Sequence, residues 1–135
     1  MSKILILGGA GYIGTVLSDF FLKGDNQIKV LDNFIYNQNN CILQNINHKS
    51  YEFTKGDMCN LEILRAALKD VSKVIILAGL VGDPITKKYP EISQYINLTK
   101  MKKVIDEILI GNVDNLIFVS TCSNYGFMEE NILAN

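Results

Sequence analysis

Histidine is almost absent from this chain, and cysteine is scarce. Its 135 residues include one histidine, His48, and three cysteines, Cys41, Cys59 and Cys122. A single imidazole suggests no histidine–cysteine metal site. Cysteines of odd number and without paired spacing argue against a disulfide framework. A dominant charge is missing as well. The formal net charge is -1 and the pI is about 5.8, which leaves no electrostatic footprint for nucleic acid or for an anionic membrane. No apolar run is long enough to cross a bilayer. The N-terminal run is too short for a secretion signal and breaks into glycines. With 48% hydrophobic residues the chain has the material for one real core, so a single cytoplasmic domain over residues 1–135 is the expectation.

The informative residues are concentrated near the N-terminus. Gly8-Gly9-Ala10-Gly11-Tyr12-Ile13-Gly14 comes directly after Ile4-Leu5-Ile6-Leu7. A short aliphatic run suits a strand buried on both faces of a parallel sheet. Glycines at 8, 11 and 14 then supply a tight turn, a backbone free of Cβ bulk and a close helix–strand contact. Ile13, Val16, Leu17 and Phe20 have helical spacing. Strand, turn and helix bring free backbone N–H groups and a positive helix end to one point, where a pyrophosphate would bind. Glycine-rich turns also serve packing alone, so the pattern gains meaning from the strand after the helix. Ile28-Lys29-Val30-Leu31 reads as that second strand, with Asp32 at its carboxyl end. The dinucleotide fingerprint places an acid there, accepting hydrogen bonds from the adenosine ribose hydroxyls. A carboxylate repels a ribose 2′-phosphate, which favours NAD over NADP. The alternative is a solvated loop aspartate.

The rest of the chain alternates strand and helix. The pattern predicts strands at Lys3–Leu7, Ile28–Leu31, Ser50–Phe53, Lys73–Leu77 and Asn115–Ser120. Helices are predicted over Tyr12–Lys23, Leu61–Leu68 behind an Asn60 cap, and Glu91–Ile110 ending at Gly111. Such alternation implies an α/β fold, a doubly wound parallel sheet with helices on both faces. Residues 33–49 are rich in asparagine and lack a clean period, and read as a loop with one helical turn. In the long helix, Ile92, Ile96, Val104, Ile105 and Ile108 suggest a buried stripe. Leu98, Met101 and Leu109 fall partly outside it, which is either ordinary packing or an interface.

Three later segments add chemistry at strand ends. Gly56-Asp57-Met58 comes after the third strand, where a carboxylate can accept the adenine amino group while Met58 packs nearby. Leu77-Ala78-Gly79 closes the fourth strand with small residues that let a cofactor approach the backbone. Each of these two, taken singly, is also ordinary turn chemistry. Ser120-Thr121-Cys122-Ser123-Asn124-Tyr125-Gly126 sets a hydroxyl cluster at the carboxyl end of the fifth strand, where ligands bind in open α/β sheets.

In these residues the chain resembles the N-terminal part of an extended short-chain dehydrogenase/reductase, the group of nucleotide-sugar epimerases and dehydratases. The match is carried by the Gly8–Gly14 turn, Asp32-Asn33, Gly56-Asp57, Leu77-Ala78-Gly79, Asn97 and Ser120-Thr121…Tyr125-Gly126. The resemblance implies a Rossmann-type sheet, cut after about the fifth strand, that binds NAD. It implies cofactor contacts at Gly8, Gly11, Tyr12, Ile13, Gly14, Asp32, Asn33, Asp57, Met58, Leu77, Ala78, Gly79 and Ser120. It also implies that Thr121 is the catalytic hydroxyl, bonded to the sugar oxygen that gains or loses a proton. Asn97 matches a family asparagine that supports the helix and an active-site water; a surface or capping role is the alternative. Dehydratases of the group carry an acidic pair after the threonine, and here Cys122 and Ser123 stand there, which favours epimerase-type redox chemistry.

The family's base is the tyrosine of a Tyr-x-x-x-Lys motif, whose lysine lowers the phenol's pKa. It would be expected beyond the hydroxyl cluster, and the chain reaches Asn135 before it. Tyr51-Glu52-Phe53-Thr54-Lys55 has the spacing but is predicted to lie in a strand, where the two side chains stand about 13 Å apart. The leading expectation is therefore the NAD-binding portion of a nucleotide-sugar epimerase, inactive as these 135 residues alone. The other readings are a non-catalytic NAD-binding sensor or interaction module, and an inert remnant. A homo-oligomer is expected, joined through the long helix, the edge of the fifth strand or the tail Phe127–Asn135.

Overall fold

The computed structural model describes residues 2–37, 39–80 and 83–120. Five parallel strands form one sheet: β1 (Lys3–Leu7), β2 (Gln27–Asp32), β3 (Tyr51–Lys55), β4 (Lys73–Ile76) and β5 (Asn115–Phe118), in the order β3-β2-β1-β4-β5. β1 runs down the centre, with Ile6 beside Val30 on one side and Ile75 on the other. The chain leaves β1 towards β2 and later returns to its other flank with β4. That reversal of direction opens a crevice at the carboxyl ends of the strands.

The pleat divides the strand residues between two cores. Ile4, Ile6, Ile28, Val30 and Ile75 pack with Leu22 of helix α1 (Tyr12–Lys23) on one face. Leu5, Leu7, Leu31, Val74 and Ile76 pack on the other, against Leu64 of α2 (Leu61–Leu68) and Val104 and Ile108 of α5 (Met101–Ile110). Burial from both sides is why the β1 sequence is an unbroken aliphatic run rather than an alternating one. The Asn60 side chain caps α2, its Oδ1 accepting from the Glu62 and Ile63 backbone N–H groups at 3.0 and 3.4 Å. At the other end of α2 the buried Lys29 side chain donates to the Ala67 and Lys69 carbonyls. Arg65 and Glu107 join α2 to α5 through two parallel hydrogen bonds of 2.7 and 2.9 Å.

Both predicted long helices form, and the structure decides which of their sides is buried. The apolar residues Ile13, Val16 and Phe20 do not face the sheet but are exposed; Gly14, Ser18 and Leu22 are the buried positions of α1. The helix lies so near the strands that only small residues fit beneath its first two turns, and the Ser18 hydroxyl is satisfied by the Gly14 carbonyl at 2.8 Å. The long helix predicted over Glu91–Ile110 forms as one unbroken helical run from Pro90 to Ile110, with a π-helical stretch inside it. α3 (Asp83–Lys88) precedes it, and within it α4 (Pro90–Gln94) passes through a π-helical turn, Tyr95–Lys100, into α5. Pro90 pushes Tyr89 out of helical geometry, to φ -133° and ψ 64°, and then starts α4 at its first position. The π turn breaks the assumed 3.6 period, so Met101, Val104 and Ile108 are buried while Ile92 and Leu98 are exposed. Among its described residues, the 33–49 region is a loop with one 3₁₀ turn, Asn39–Ile42.

Candidate dinucleotide-binding site

The crevice between the carboxyl ends of the strands is a cavity of about 800 Å³. Its floor is the glycine turn. Gly8 has φ +79°, and a Cβ on it would stand 2.7 Å from the Ala78 backbone nitrogen at the end of β4. A Cβ on Gly14 would run into the Gly9 backbone. The glycines thus hold β1, α1 and β4 at distances no side chain allows, and leave backbone rather than side chain at the cavity floor. Gly11 caps α1 with no side-chain hydrogen bond, and the first intrahelical bond runs from Thr15 to the Gly11 carbonyl. The N–H groups of the first turn and the positive helix end are directed to one place, which is what an anionic phosphate requires.

Asp32 closes β2 and is tied to that turn. Its Oδ2 accepts from the Ala10 backbone N–H at 3.0 Å and its Oδ1 from the Phe34 N–H at 2.8 Å. Each oxygen keeps acceptor capacity for a second donor. Asn33 folds the next residues back, its Oδ1 accepting from the Ile35 N–H at 3.0 Å. Phe34, with φ 58°, stacks on Phe53 at 4.9 Å between centroids and holds the loop down. On the adjoining wall Asp57 accepts from the Cys59 N–H at 2.8 Å. Met58 is buried in the core beside Leu31 and Leu64 while still lining the cavity. Burial, then the Asp57 charge and hydrogen bond, push the Cys59 thiol up to about 11, so it is no thiolate nucleophile at neutral pH.

The structure brings Gly8, Gly11, Tyr12, Ile13 and Gly14 together with Asp32, Asn33, Asp57, Met58, Leu77, Ala78 and Gly79 around this one cavity. Ser120 is not among its lining residues; it lies beyond the end of β5 and is exposed. Thr121 and the rest of the hydroxyl cluster fall outside the described residues. Sequence reasoning misses the remaining wall, formed by Ile92, Tyr95, Ile96 and Lys100. By helical period the two isoleucines belong to a core stripe, and the π turn that redirects this wall has no local sequence signature. Asn97, within that turn, hydrogen-bonds both backbone groups of Leu80 and so pins the wall to the end of β4. The tyrosine–lysine spacing at Tyr51 and Lys55 does not form a catalytic pair. Both residues lie in β3, and the Tyr51 phenol is raised to about 12 by burial and by the Asp32 charge, the opposite of what a base needs.

Comparison with known proteins agrees with this geometry. The model of the NAD dependent epimerase/dehydratase family matches residues 4–134. A UDP-glucose 4-epimerase of Neisseria meningitidis serogroup B is 30% identical over 132 residues, which are 93% of this chain and 38% of that protein. Among solved structures, the UDP-Glc/GlcNAc 4-epimerase of Campylobacter jejuni superposes with a TM-score of 0.85 at 29% identity, over 93% of this chain and 39% of the other. The UDP-glucuronic acid 4-epimerase of Bacillus cereus, in complex with UDP-glucuronic acid and NAD, gives 0.83 at 25% identity over 97% and 44%. The chain thus spans about two fifths of the length of these relatives. Its Cβ-free cradle at a helix N-terminus and the flanking carboxylate of Asp32 fit the diphosphate and the ribose of an adenosine diphosphate. The chain belongs to the NAD dependent epimerase/dehydratase family, and its cofactor is NAD.

Proposed function

We propose that these residues form the NAD-binding portion of a nucleotide-sugar epimerase. The observation that carries the reading is the Asp32 carboxylate bound to the Ala10 N–H, a ribose acceptor fixed one residue from the phosphate cradle. In this reading the first turn of α1 takes the diphosphate, and Asp32 and Asn33 take the adenosine ribose hydroxyls. Asp57 accepts from the adenine amino group while Met58 packs against the ring. Leu77, Ala78 and Gly79 let the nicotinamide end lie close to the backbone, with Ser120 beyond it. NAD, when bound, supplies the transient hydride acceptance on which epimerisation depends. Thr121 is the hydroxyl that would orient the sugar oxygen.

Within the 135 residues the sole Tyr-x-x-x-Lys spacing is Tyr51–Lys55, and a strand cannot stack the two. Without a phenolate base, general-base catalysis worth about 10²–10⁴-fold is missing, so the isolated chain binds cofactor without turning over sugar. Calorimetric titration with NAD and NADP tests the binding assignment. NAD should bind more tightly, because a 2′-phosphate would face the Asp32 charge. Equal or tighter binding of NADP would sink it, and turnover of a UDP-hexose by the purified chain would sink the inactivity.

The same reading includes self-association. Among the described residues β5 is a sheet edge that exposes Ile117 and Phe118, and Leu98, Leu109 and Ile110 are exposed along the helix. The helix is the preferred contact of a homo-oligomer.

A further inference from the structure

The cavity wall formed by the π turn carries a charge that the cofactor assignment leaves unused. Three charged residues line the cavity among the described residues: Asp32, Asp57 and Lys100. Two are carboxylates, whereas the diphosphate of a dinucleotide is itself anionic. Lys100 is the last residue of the π-helical turn and is half-buried, directly before the buried Met101. Its ammonium stands 5.4 Å from the centroid of the Tyr95 ring, and no ion pair joins it to a described residue. Its charge is close enough to Cys59, on the adjoining wall, to oppose the rise of that thiol's pKa. The turn that carries it is held in place by the two hydrogen bonds of Asn97 to Leu80.

We infer that Lys100 is a further cofactor-binding residue, whose ammonium meets the dinucleotide diphosphate from the side opposite the α1 N-terminus. The inference rests on the NAD-binding reading above. The helix end supplies N–H donors and a partial charge of about half a proton, which screens quickly in salt. The ammonium of this half-buried residue, over an aromatic face, adds a full charge to the cavity wall. It also offsets the repulsion that Asp32 and Asp57 exert on the phosphates. The π turn has a purpose on this view: its extra residue allows Lys100 to line the cavity while Met101 enters the core, and such turns recur at functional sites.

The test titrates the 135-residue chain, with Lys100→Met and Lys100→Arg, against NAD, ADP and adenosine at low and high salt. K100M should bind NAD and ADP about tenfold more weakly at low salt, the loss of one charge-assisted contact. K100R should stay within about threefold of the parent, and adenosine should bind all three alike. The salt dependence of NAD binding should be shallower for K100M. Circular dichroism melts establish that each variant is folded, and K100R separates charge from fit should K100M melt early. Unchanged NAD binding by a folded K100M overturns the assignment. So does an equal loss for adenosine, which would make Lys100 a contact of the base. Failure of the parent chain to bind NAD at all would instead bring down the reading on which the inference rests.

Discussion

The side-chain amide of Asn97 holds the backbone of Leu80 as a strand neighbour would. Its Oδ1 accepts from the Leu80 N–H at 2.9 Å and its Nδ2 donates to the Leu80 carbonyl at 2.8 Å. Leu80 lies past the edge of the ladder, at the point where β4 has ended and the cavity begins. The pair therefore ties a π turn, which by itself has poor internal geometry, to the end of the sheet.

Asn97→Asp should separate these roles. The carboxylate keeps the acceptor for the Leu80 N–H but presents no donor to the Leu80 carbonyl. We expect urea denaturation to show a loss of about 1–3 kcal/mol, with weaker NAD binding because the Tyr95–Lys100 wall shifts. A variant of parent stability and parent affinity would show that the pair is incidental.

Gly8→Ala should be far more damaging than Gly24→Ala. At Gly8 the new Cβ meets the Ala78 backbone at 2.7 Å and the φ of +79° is one L residues avoid, whereas at Gly24 its nearest neighbour is the Asn26 side-chain amide at 3.2 Å. The first should cost at least about 2 kcal/mol and the second less than about 1 kcal/mol. Thermal melts of the two variants check the order, and an equal effect would refute the close approach of β1 and β4.

Tyr51 predicts an alkaline limb of stability. Burial first, and the Asp32 charge second, raise its phenol from 10.0 to about 12. The native state thus holds this proton more tightly than the unfolded chain. The contribution is complete below pH 10 and is lost as the pH rises towards about 12. The stability of the parent relative to Tyr51→Phe should therefore fall over that interval. A constant difference in denaturation midpoints across it would contradict the burial.

Association should depend on the outward side of the long helix. Met101 and Val104 are core residues, so lysine at either position should unfold the chain rather than dissociate it. Leu98→Lys combined with Ile110→Lys removes exposed apolar surface without touching the core. Light scattering at micromolar concentration should show an oligomer for the parent and a monomer for the double variant. A monomeric parent would end the proposal.

Much of the site was legible because it is local. The glycine turn comes within a few residues of its strand, and its φ and Cβ demands are written in residue types. Asp32 could be placed because a strand end is marked by the close of an aliphatic run. Asn60 announced α2 for the same reason, since a cap acts on the next turn alone. Each of these features needs no knowledge of the elements across the molecule.

The rest depended on partners distant in sequence. The helical spacing of Ile13, Val16 and Phe20 does not say which side of α1 is buried, and the buried positions are Gly14, Ser18 and Leu22. The π turn has no composition of its own; it arises because Asn97 is held by Leu80 while Met101, Val104 and Ile108 fill the second core. Lys100, which lines the cavity, is the last residue of that turn. The sequence by itself determined the elements and the phosphate cradle, where each residue's preference is met by its neighbours in the chain. The tertiary structure alone decided the strand order, the buried side of α1 and the fourth wall of the cavity, because packing between non-adjacent elements outweighs the local period there.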